Sequence, residues 1–149
     1  MRIIRASSEH IEVVAALFDQ YRQFYRQPSE PAKAREFIAA RIEKDESVIY
    51  LAVEDGGDVR ALGFIQLYPA FSSVSIKRLW ILNDLYVSSG ARKRGVARAL
   101  MERARQLAVE TGAKGLVLQT AADNHPAQAL YESLGYKRDE EFYGYFLSV

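Results

Sequence analysis

The chain has 149 residues, 49% of them apolar, with no cysteine and a formal net charge of +1. This is the size of one ordinary domain, able to bury a core without metal or disulfide. The composition excludes disulfides, zinc–thiolate sites and thiol nucleophiles, and the near-neutral balance argues against a global electrostatic grip on nucleic acid or membrane. Arg2–Arg5 reads as a first strand. Ser7 and Ser8 can cap the helix that follows, in which Ile11, Val14, Leu17, Phe18 and Tyr21 share one face at helical spacing. Phe24 and Tyr25 add aromatics at its far end. Pro28-Ser29-Glu30-Pro31 breaks the chain, and Pro31 suits the first turn of a second helix that carries Ala34, Phe37, Ile38 and Ile42 inward.

From Ser47 the pattern changes to strands. Val48–Val53 is a buried run, Asp55-Gly56-Gly57-Asp58 a hairpin turn, and Ala61–Leu67 the partner strand, stopped at Tyr68-Pro69. A polar loop with Phe71-Ser72-Ser73 leads to a third strand, Arg78–Val87, which Ser88-Ser89-Gly90 ends. A helix runs from about Gly95 to Glu110, with Val96, Leu100, Arg103/Ala104 and Leu107 at its apolar spacing and Thr111-Gly112 as its stop. Leu116–Leu118 is a further strand. His125-Pro126 opens a last helix with Ala129, Leu130 and Leu134 inward and Gly135 as its cap, and strands near Tyr136–Arg138 and Phe142–Leu147 finish the chain.

The order β-α-α-β-β-β-α-β-α-β-β predicts a single α/β (α+β) domain over 1–149, with a central mixed, mostly antiparallel sheet flanked by helices. The N-terminal Met1–Ala6 lacks the apolar core of a signal peptide. No stretch approaches the ~20 apolar residues of a membrane span. The expectation is a soluble cytoplasmic protein that engages neither membrane nor nucleic acid.

One loop carries chemistry. After the strand ending Asn83-Asp84-Leu85-Tyr86-Val87, the segment Arg92-Lys93-Arg94-Gly95-Val96-Ala97 opens a helix. The first helical turn offers unpaired N–H groups and the positive end of the helix dipole, an anion site. Gly95 and Ala97 let a phosphate approach the backbone, and the three basic residues add charge that the helix itself disfavours. Taken alone, the loop reads equally as a solvated basic turn. It lacks the Gly-Lys-Ser/Thr of a Walker loop and the Gly-x-Gly-x-x-Gly of a dinucleotide fingerprint. A basic amphipathic helix for nucleic acid or membrane is a third reading, diluted by Glu102 and Glu110.

Arg92, Gly95 and Ala97 fill the pattern Arg/Gln-x-x-Gly-x-Gly/Ala, with Ala97 taking the less common option. About thirty residues on, Asn124-His125-Pro126-Ala127-Gln128-Ala129-Leu130-Tyr131-Glu132-Ser133-Leu134-Gly135-Tyr136 fits Asn-x-x-Ala-x-x-x-Tyr-x-x-x-Gly-Phe/Tyr. Together they resemble the acetyl-CoA-binding elements of the GNAT superfamily of N-acetyltransferases, and the element order matches over nearly the whole chain. The look is closest to members that act on small amines, amino acids or histones.

The resemblance implies transfer of acetyl from acetyl-CoA to a primary amine by direct attack, with no metal. The pantetheine arm would add beside Leu85, Tyr86 and Val87, where that strand parts from the one around Leu118. The pyrophosphate would sit on Arg94, Gly95, Val96 and Ala97, with Arg92 and Lys93 close by. Asn124 would bond the arm, and Ala127 would matter by being small. Tyr131, at the family's tyrosine position, would protonate the leaving thiolate, a phenol of pKa about 10 supplying a thiol of about 8.5. By spacing alone Tyr131 reads as a packing aromatic ahead of an acid, and the plain reading of Asn124 is a loop cap; the whole motif favours the acid role for Tyr131.

Asp84 is the candidate base, directly or through water, because an amine of pKa about 10.4 must lose a proton. Asn83 and Asp84 interrupt an apolar strand, and alternation predicts that they face opposite sides. Gln119 stands where family members often carry Glu, which removes one other base. His10 and His125 are isolated. For the acceptor, Tyr21, Tyr25, Tyr68, Phe71 and Trp80 could form an aromatic cage for a cationic amine with Asn83 and Asp84, and Asp19 and Glu30 could add negative charge. The plainer reading makes these aromatics half-buried packing residues. An acetyl-CoA sensor without turnover is the alternative function. A homodimer is expected by analogy, with the apolar Phe142–Leu147 as its surface.

Overall fold

The computed structural model describes residues 1–56 and 60–149. Residues 57–59, on which half of the predicted Asp55–Asp58 turn falls, lie outside the described residues. Residues Met1–Leu118 form one compact unit and Gln119–Val149 a second.

In the first unit five strands lie in the order β1-β2-β3-β4-β5: β1 Arg2–Arg5, β2 Val48–Val53, β3 Ala61–Ser72, β4 Lys77–Val87 and β5 Leu116–Val117. The first four pair antiparallel with one another in chain order, and β5 runs parallel to β4. Helices α1 (Ile11–Phe24) and α2 (Pro31–Glu43) cover one face, and α3 (Val96–Glu110) packs on the sheet as well. This is the expected mixed, mostly antiparallel sheet flanked by helices.

The local rules explain the helices. Ser7 precedes a short 3₁₀ turn, Ser8–His10, that leads into α1, and its N–H donates to His10 Nδ1 at 3.0 Å. That gives His10 a capping role. The predicted stripe of α1 is inside: Val14, Leu17 and Phe18 join Ala34, Ile38, Ile49, Leu51, Val53 and Phe64 in one core. Every residue of β2 is buried, so its continuous apolar run matches a strand covered on both faces. Phe37 was expected inside α2. It is exposed, but its ring stacks on Phe18 at 5.4 Å. Pro31 occupies the first turn of α2, and Gly112 ends α3 with a left-handed φ of 64°. None of the described helices is long and apolar enough to cross a membrane.

β3 does not stop at Tyr68-Pro69 but continues through Pro69, which opposes Trp80, to Ser72, which opposes Lys77. The reason is positional. β2 begins at Val48, opposite Leu67, so beyond Leu67 β3 has β4 alone beside it. A proline there need cost no ladder hydrogen bond on the side β2 has left.

In the second unit α4 spans His125–Ser133, with Pro126 in its first turn and Gly135, at φ 93°, just beyond its end. Ala129 is exposed rather than inward, while Leu130 and Leu134 are half-buried. The strands expected at Tyr136–Arg138 and Phe142–Leu147 are absent. Instead Asp139 Oδ1 accepts the N–H groups of Glu141 and Phe142, at 2.9 and 3.1 Å. A strand needs a ladder partner, and here a side chain takes the first donors.

Candidate active site

The site is built on β4, and its shape follows from one extra residue. Leu82 opposes Leu67 and Asp84 opposes Gln66, which leaves Asn83 as a β-bulge. A bulge breaks strict alternation. Asn83 and Asp84 therefore do not simply point apart: Asn83 is exposed, Asp84 is buried, and Asn83 Nδ2 donates to Asp84 Oδ1 at 3.2 Å.

The bulge also exchanges the faces of the strand. Before it, the buried Trp80 donates from Nε1 to Thr111 Oγ1, at the end of α3, at 2.9 Å. After it, Tyr86 lies 6.4 Å from the Tyr21 ring of α1. Trp80 is thus a packing residue beneath the end of α3, and the Arg78 guanidinium lies 5.3 Å from its ring. Phe71 is exposed farther along the β3–β4 arm, with Arg78 over its ring at 5.3 Å.

Asp84 does gather Tyr21 and Tyr68, and Tyr21 meets Tyr25 at 5.0 Å between ring centroids. The carboxyl is only 4% exposed. Gln66 Nε2 donates to Asp84 Oδ2 at 2.5 Å, and Ser47 Oγ donates to Gln66 Oε1 at 2.8 Å. Burial pushes the Asp84 carboxyl above its ordinary value, while hydrogen bonds from Gln66, Tyr21 and Asn83 act in the opposite direction. Burial, and then the Asp84 charge, push the Tyr21 phenol up, and raise Tyr68 to about 12.

Gln66 and Ser47 were not among the sequence candidates. A signal existed for the first: a lone amide inside Phe64-Ile65-Gln66-Leu67 must find a partner if that strand is buried. Asp19 and Glu30, suggested as negative charge for an acceptor, have internal partners. Asp19 accepts from Ser29 Oγ at 2.6 Å and from the Glu30 N–H at 2.8 Å, clamping the α1–α2 connection, and the Ser29 bond leads the effects that hold its carboxyl below the ordinary range. Glu30 pairs with Lys33 at 3.1 Å and Arg22 at 3.2 Å.

Beyond the bulge β4 has an open side. β5 pairs with it only at Trp80 and Ile81, so from Leu82 to Val87 the only ladder among the described residues is with β3. Leu85, Tyr86 and Val87 thus lie on a strand edge that another extended chain could join. Gly63 sits against this stretch. A Cβ there would stand 2.5 Å from the Tyr86 carbonyl oxygen.

The edge runs directly into the basic loop. Arg92 Nε donates to the Val87 carbonyl at 3.3 Å, and its guanidinium lies 5.6 Å from the Phe24 ring. Lys93 and Gly95 both take left-handed φ, 62° and 78°, and Gly95 is the cap of α3. The first amides of α3, Val96 and Ala97, have no carbonyl one turn back within the helix. The basic cluster is less free than its sequence suggests, because Arg94 pairs with Glu54 at 2.7 Å.

In the second unit Asn124 Oδ1 accepts the Ala127 N–H at 3.3 Å, capping α4. Tyr131 lies on that helix, half-buried, with its ring 6.1 Å from that of Tyr136.

A parted strand edge that leads into a glycine-capped helix N-terminus suits a ligand with an extended arm and an anionic end. The model of the Acetyltransferase (GNAT) family matches residues 14–136. The uncharacterized N-acetyltransferase YhfO of Bacillus subtilis is 47% identical over 149 residues, covering 100% of this chain and 98% of its own. The D-amino-acid N-acetyltransferase HPA3 of Saccharomyces cerevisiae is 30% identical over 127 residues, 85% of this chain and 79% of the relative. The crystal structure of a probable acetyltransferase superposes with a TM-score of 0.95 at 48% identity, covering 100% of this chain and 98% of that one. The chain therefore belongs to the GNAT family of acetyltransferases.

Proposed function

We propose that residues 1–149 act as one N-acetyltransferase domain that moves the acetyl group of acetyl-CoA to a primary amine by direct attack in a ternary complex. The observation that carries the donor half is the edge of β4, unpaired by β5 past Ile81 and continuous with the Gly95 cap of α3. The amide-bearing pantetheine arm can add to that edge as a strand would. The pyrophosphate can sit on the amides of Gly95, Val96 and Ala97, with Arg92 and Lys93 supplying charge. A β4 N–H directed at the developing oxyanion contributes on the order of 3 kcal/mol.

On the acceptor side, Asp84 receives the ammonium proton, directly or through water, and Tyr131 protonates the departing thiolate. A carboxyl raised by burial holds a proton better than an ordinary one, which suits a base facing an amine of pKa about 10.4. The rings of Tyr21, Tyr25 and Tyr68 offer faces to a cation, each worth about 0.5–2 kcal/mol. The name of the yeast relative, a D-amino-acid acetyltransferase, supports a free amino acid as the first acceptor to try, ahead of polyamines and lysine side chains. The working unit is a homodimer.

Thiol release from acetyl-CoA, measured across D- and L-amino acids, polyamines and lysine peptides, tests this. Turnover with at least one amine is expected. Tight acetyl-CoA binding without turnover on any amine would make the chain a sensor instead.

A further inference from the structure

Asp84 is placed to take a proton but not to touch the amine that gives it up. Its carboxyl is 4% exposed, and three donors occupy it. Gln66 Nε2 of β3 donates to Oδ2, and Asn83 Nδ2 donates to Oδ1. The third donor is the Tyr21 hydroxyl, from α1. An ammonium group reaches this acid either by displacing one of the donors or by acting through one of them.

The three are not chemically equal. Gln66 and Asn83 present amide N–H groups, which do not exchange roles with an acid. A phenol can do two jobs at once: its oxygen accepts while its O–H donates. Of the three, Tyr21 alone can hand over one proton and take another in the same event. It also stands at the border of the site. Tyr21 is half-buried and lies edge-on to Tyr25, itself 53% exposed, at 5.0 Å. Phe18, Phe64 and Tyr86 surround its ring at 6.2, 5.9 and 6.4 Å between centroids, which holds the phenol in place. Tyr68 feels the Asp84 charge, but the hydrogen bonds of the carboxyl come from Gln66, Tyr21 and Asn83.

We propose that the Tyr21 hydroxyl is the group that touches the acceptor amine, and that it relays the ammonium proton to Asp84. An N–H bond of the ammonium breaks as an O–H bond forms on Tyr21, and the phenol's own proton crosses to Asp84 in the same event. The amine is left neutral, with its lone pair free for the thioester. Tyr21 is a neutral phenol before and after, and Asp84 ends protonated. The phenol never ionises by itself, a step that burial and the Asp84 charge oppose. The proposal rests on the reading of Asp84 as the base and names the group, in place of water, through which it acts. The other titratable groups around the pair are the phenols of Tyr25 and Tyr68 and, beyond Tyr68, Arg41 and Glu46, which pair with each other at 3.1 Å.

Tyr21→Phe, Asp84→Asn and the double variant test this, assayed across pH and across amines of falling pKa. Tyr21→Phe keeps the ring and is expected to lower the plateau of kcat about a hundredfold. A phenol that only tuned Asp84 would let the rate recover once the pH is high enough to ionise the carboxyl, and that recovery overturns the relay. The double variant is expected to be no slower than the slower single one, because both residues serve one transfer. Losses that multiply overturn the proposal, since Tyr21 then acts apart from Asp84. A slow Asp84→Asn beside a normal Tyr21→Phe keeps Asp84 as the base and removes the relay; a normal Asp84→Asn removes the base and the relay together. Amines of lower pKa arrive neutral more often, so the Tyr21→Phe loss should shrink down the series. A loss equal for all amines makes Tyr21 a packing residue. Should Tyr21→Phe not fold, a fluorinated tyrosine at position 21 keeps both ring and hydroxyl but ionises at lower pH. The relay then predicts that activity falls where that phenol ionises, and an unmoved pH profile overturns it.

Discussion

Gln66 and Asp84 face each other directly across β3 and β4, and the amide Nε2 of the first donates to the carboxyl Oδ2 of the second at 2.5 Å. Ser47 fixes the other end of the amide, because its hydroxyl donates to Gln66 Oε1 at 2.8 Å. That bond leaves Gln66 no rotational choice, since its oxygen is engaged and its nitrogen must face Asp84. An acid that would otherwise be an isolated buried charge is held in one orientation beside Tyr21 and the exposed Asn83.

Asp84→Asn follows from this geometry. Burial raises the folded-state pKa of Asp84 above that of the unfolded chain. The folded state therefore binds the proton more tightly. Below the ordinary carboxylate value both states are protonated and stability does not depend on this group. As pH rises towards the raised value, the unfolded chain releases its proton first, and stability falls across that window. Urea unfolding of the wild type should show this decline and Asp84→Asn should lack it. As the base, Asp84 also sets an acid limb in the pH profile of kcat/KM, above the ordinary carboxylate value. Removing the carboxylate should abolish that limb and lower the rate by ~10²–10⁴. A normal rate in the variant would leave Asp84 a structural group.

Gly63→Ala tests whether the end of β4 must keep its present path. The new methyl would meet the Tyr86 carbonyl oxygen at 2.5 Å and the Val87 Cα at 3.2 Å, both backbone atoms. Neither can rotate away, so the strand must shift. Overpacking of this kind costs about 1–3 kcal/mol. Because the same backbone lines the proposed donor edge, acetyl-CoA affinity should fall with the melting temperature. Calorimetric titration would show it. Loss of stability with unchanged affinity would mean that the donor does not use Tyr86 and Val87.

These two predictions draw on features of unequal legibility. The helices were legible because their signals are local: the stripe Val14–Leu17–Phe18 and the Pro31 start need no knowledge of the rest of the chain. The Asn83 bulge was not, since a single extra residue is defined only by what the partner strand does opposite it. With the bulge missed, Trp80 and Asp84 looked like neighbours on one surface, when the extra residue sends them to opposite faces. The run of β3 through Pro69 was hidden for a similar reason. It depends on where β2 begins. The aromatic residues of 142–147 do have the composition of a strand, but composition does not say whose ladder a strand will join.

Arg94 is held by Glu54 at 2.7 Å, and each side chain shifts the other in the direction of a stable ion pair. If the pyrophosphate sits on the α3 N-terminus, Glu54 competes with it for the same guanidinium. Glu54→Gln should then tighten acetyl-CoA binding. The gain should shrink as salt rises, because the pair is exposed and screened. Arg94→Ala should do the reverse, leaving an unpaired carboxylate near the phosphates. Equal affinities for both variants and the wild type at low salt would show that Arg94 serves only the β2 end.

Tyr131→Phe separates chemistry from binding. The substitution keeps the ring, so its packing at 6.1 Å from Tyr136 is preserved, and removes only the hydroxyl. A thiolate leaving without a proton donor must depart as a base of pKa about 8.5, and the lost proton transfer is worth ~10²–10⁴ in rate. The expected result is a large fall in kcat with acetyl-CoA affinity nearly unchanged, because the phosphate loop and the β4 edge are untouched. The signature is sharper if the acetyl donor is varied. An acyl ester whose thiol leaving group has a lower pKa needs less protonation, so the variant should recover part of its rate with that donor. A uniform loss across leaving groups would assign the hydroxyl to positioning the donor, and an unchanged kcat would remove Tyr131 from the reaction.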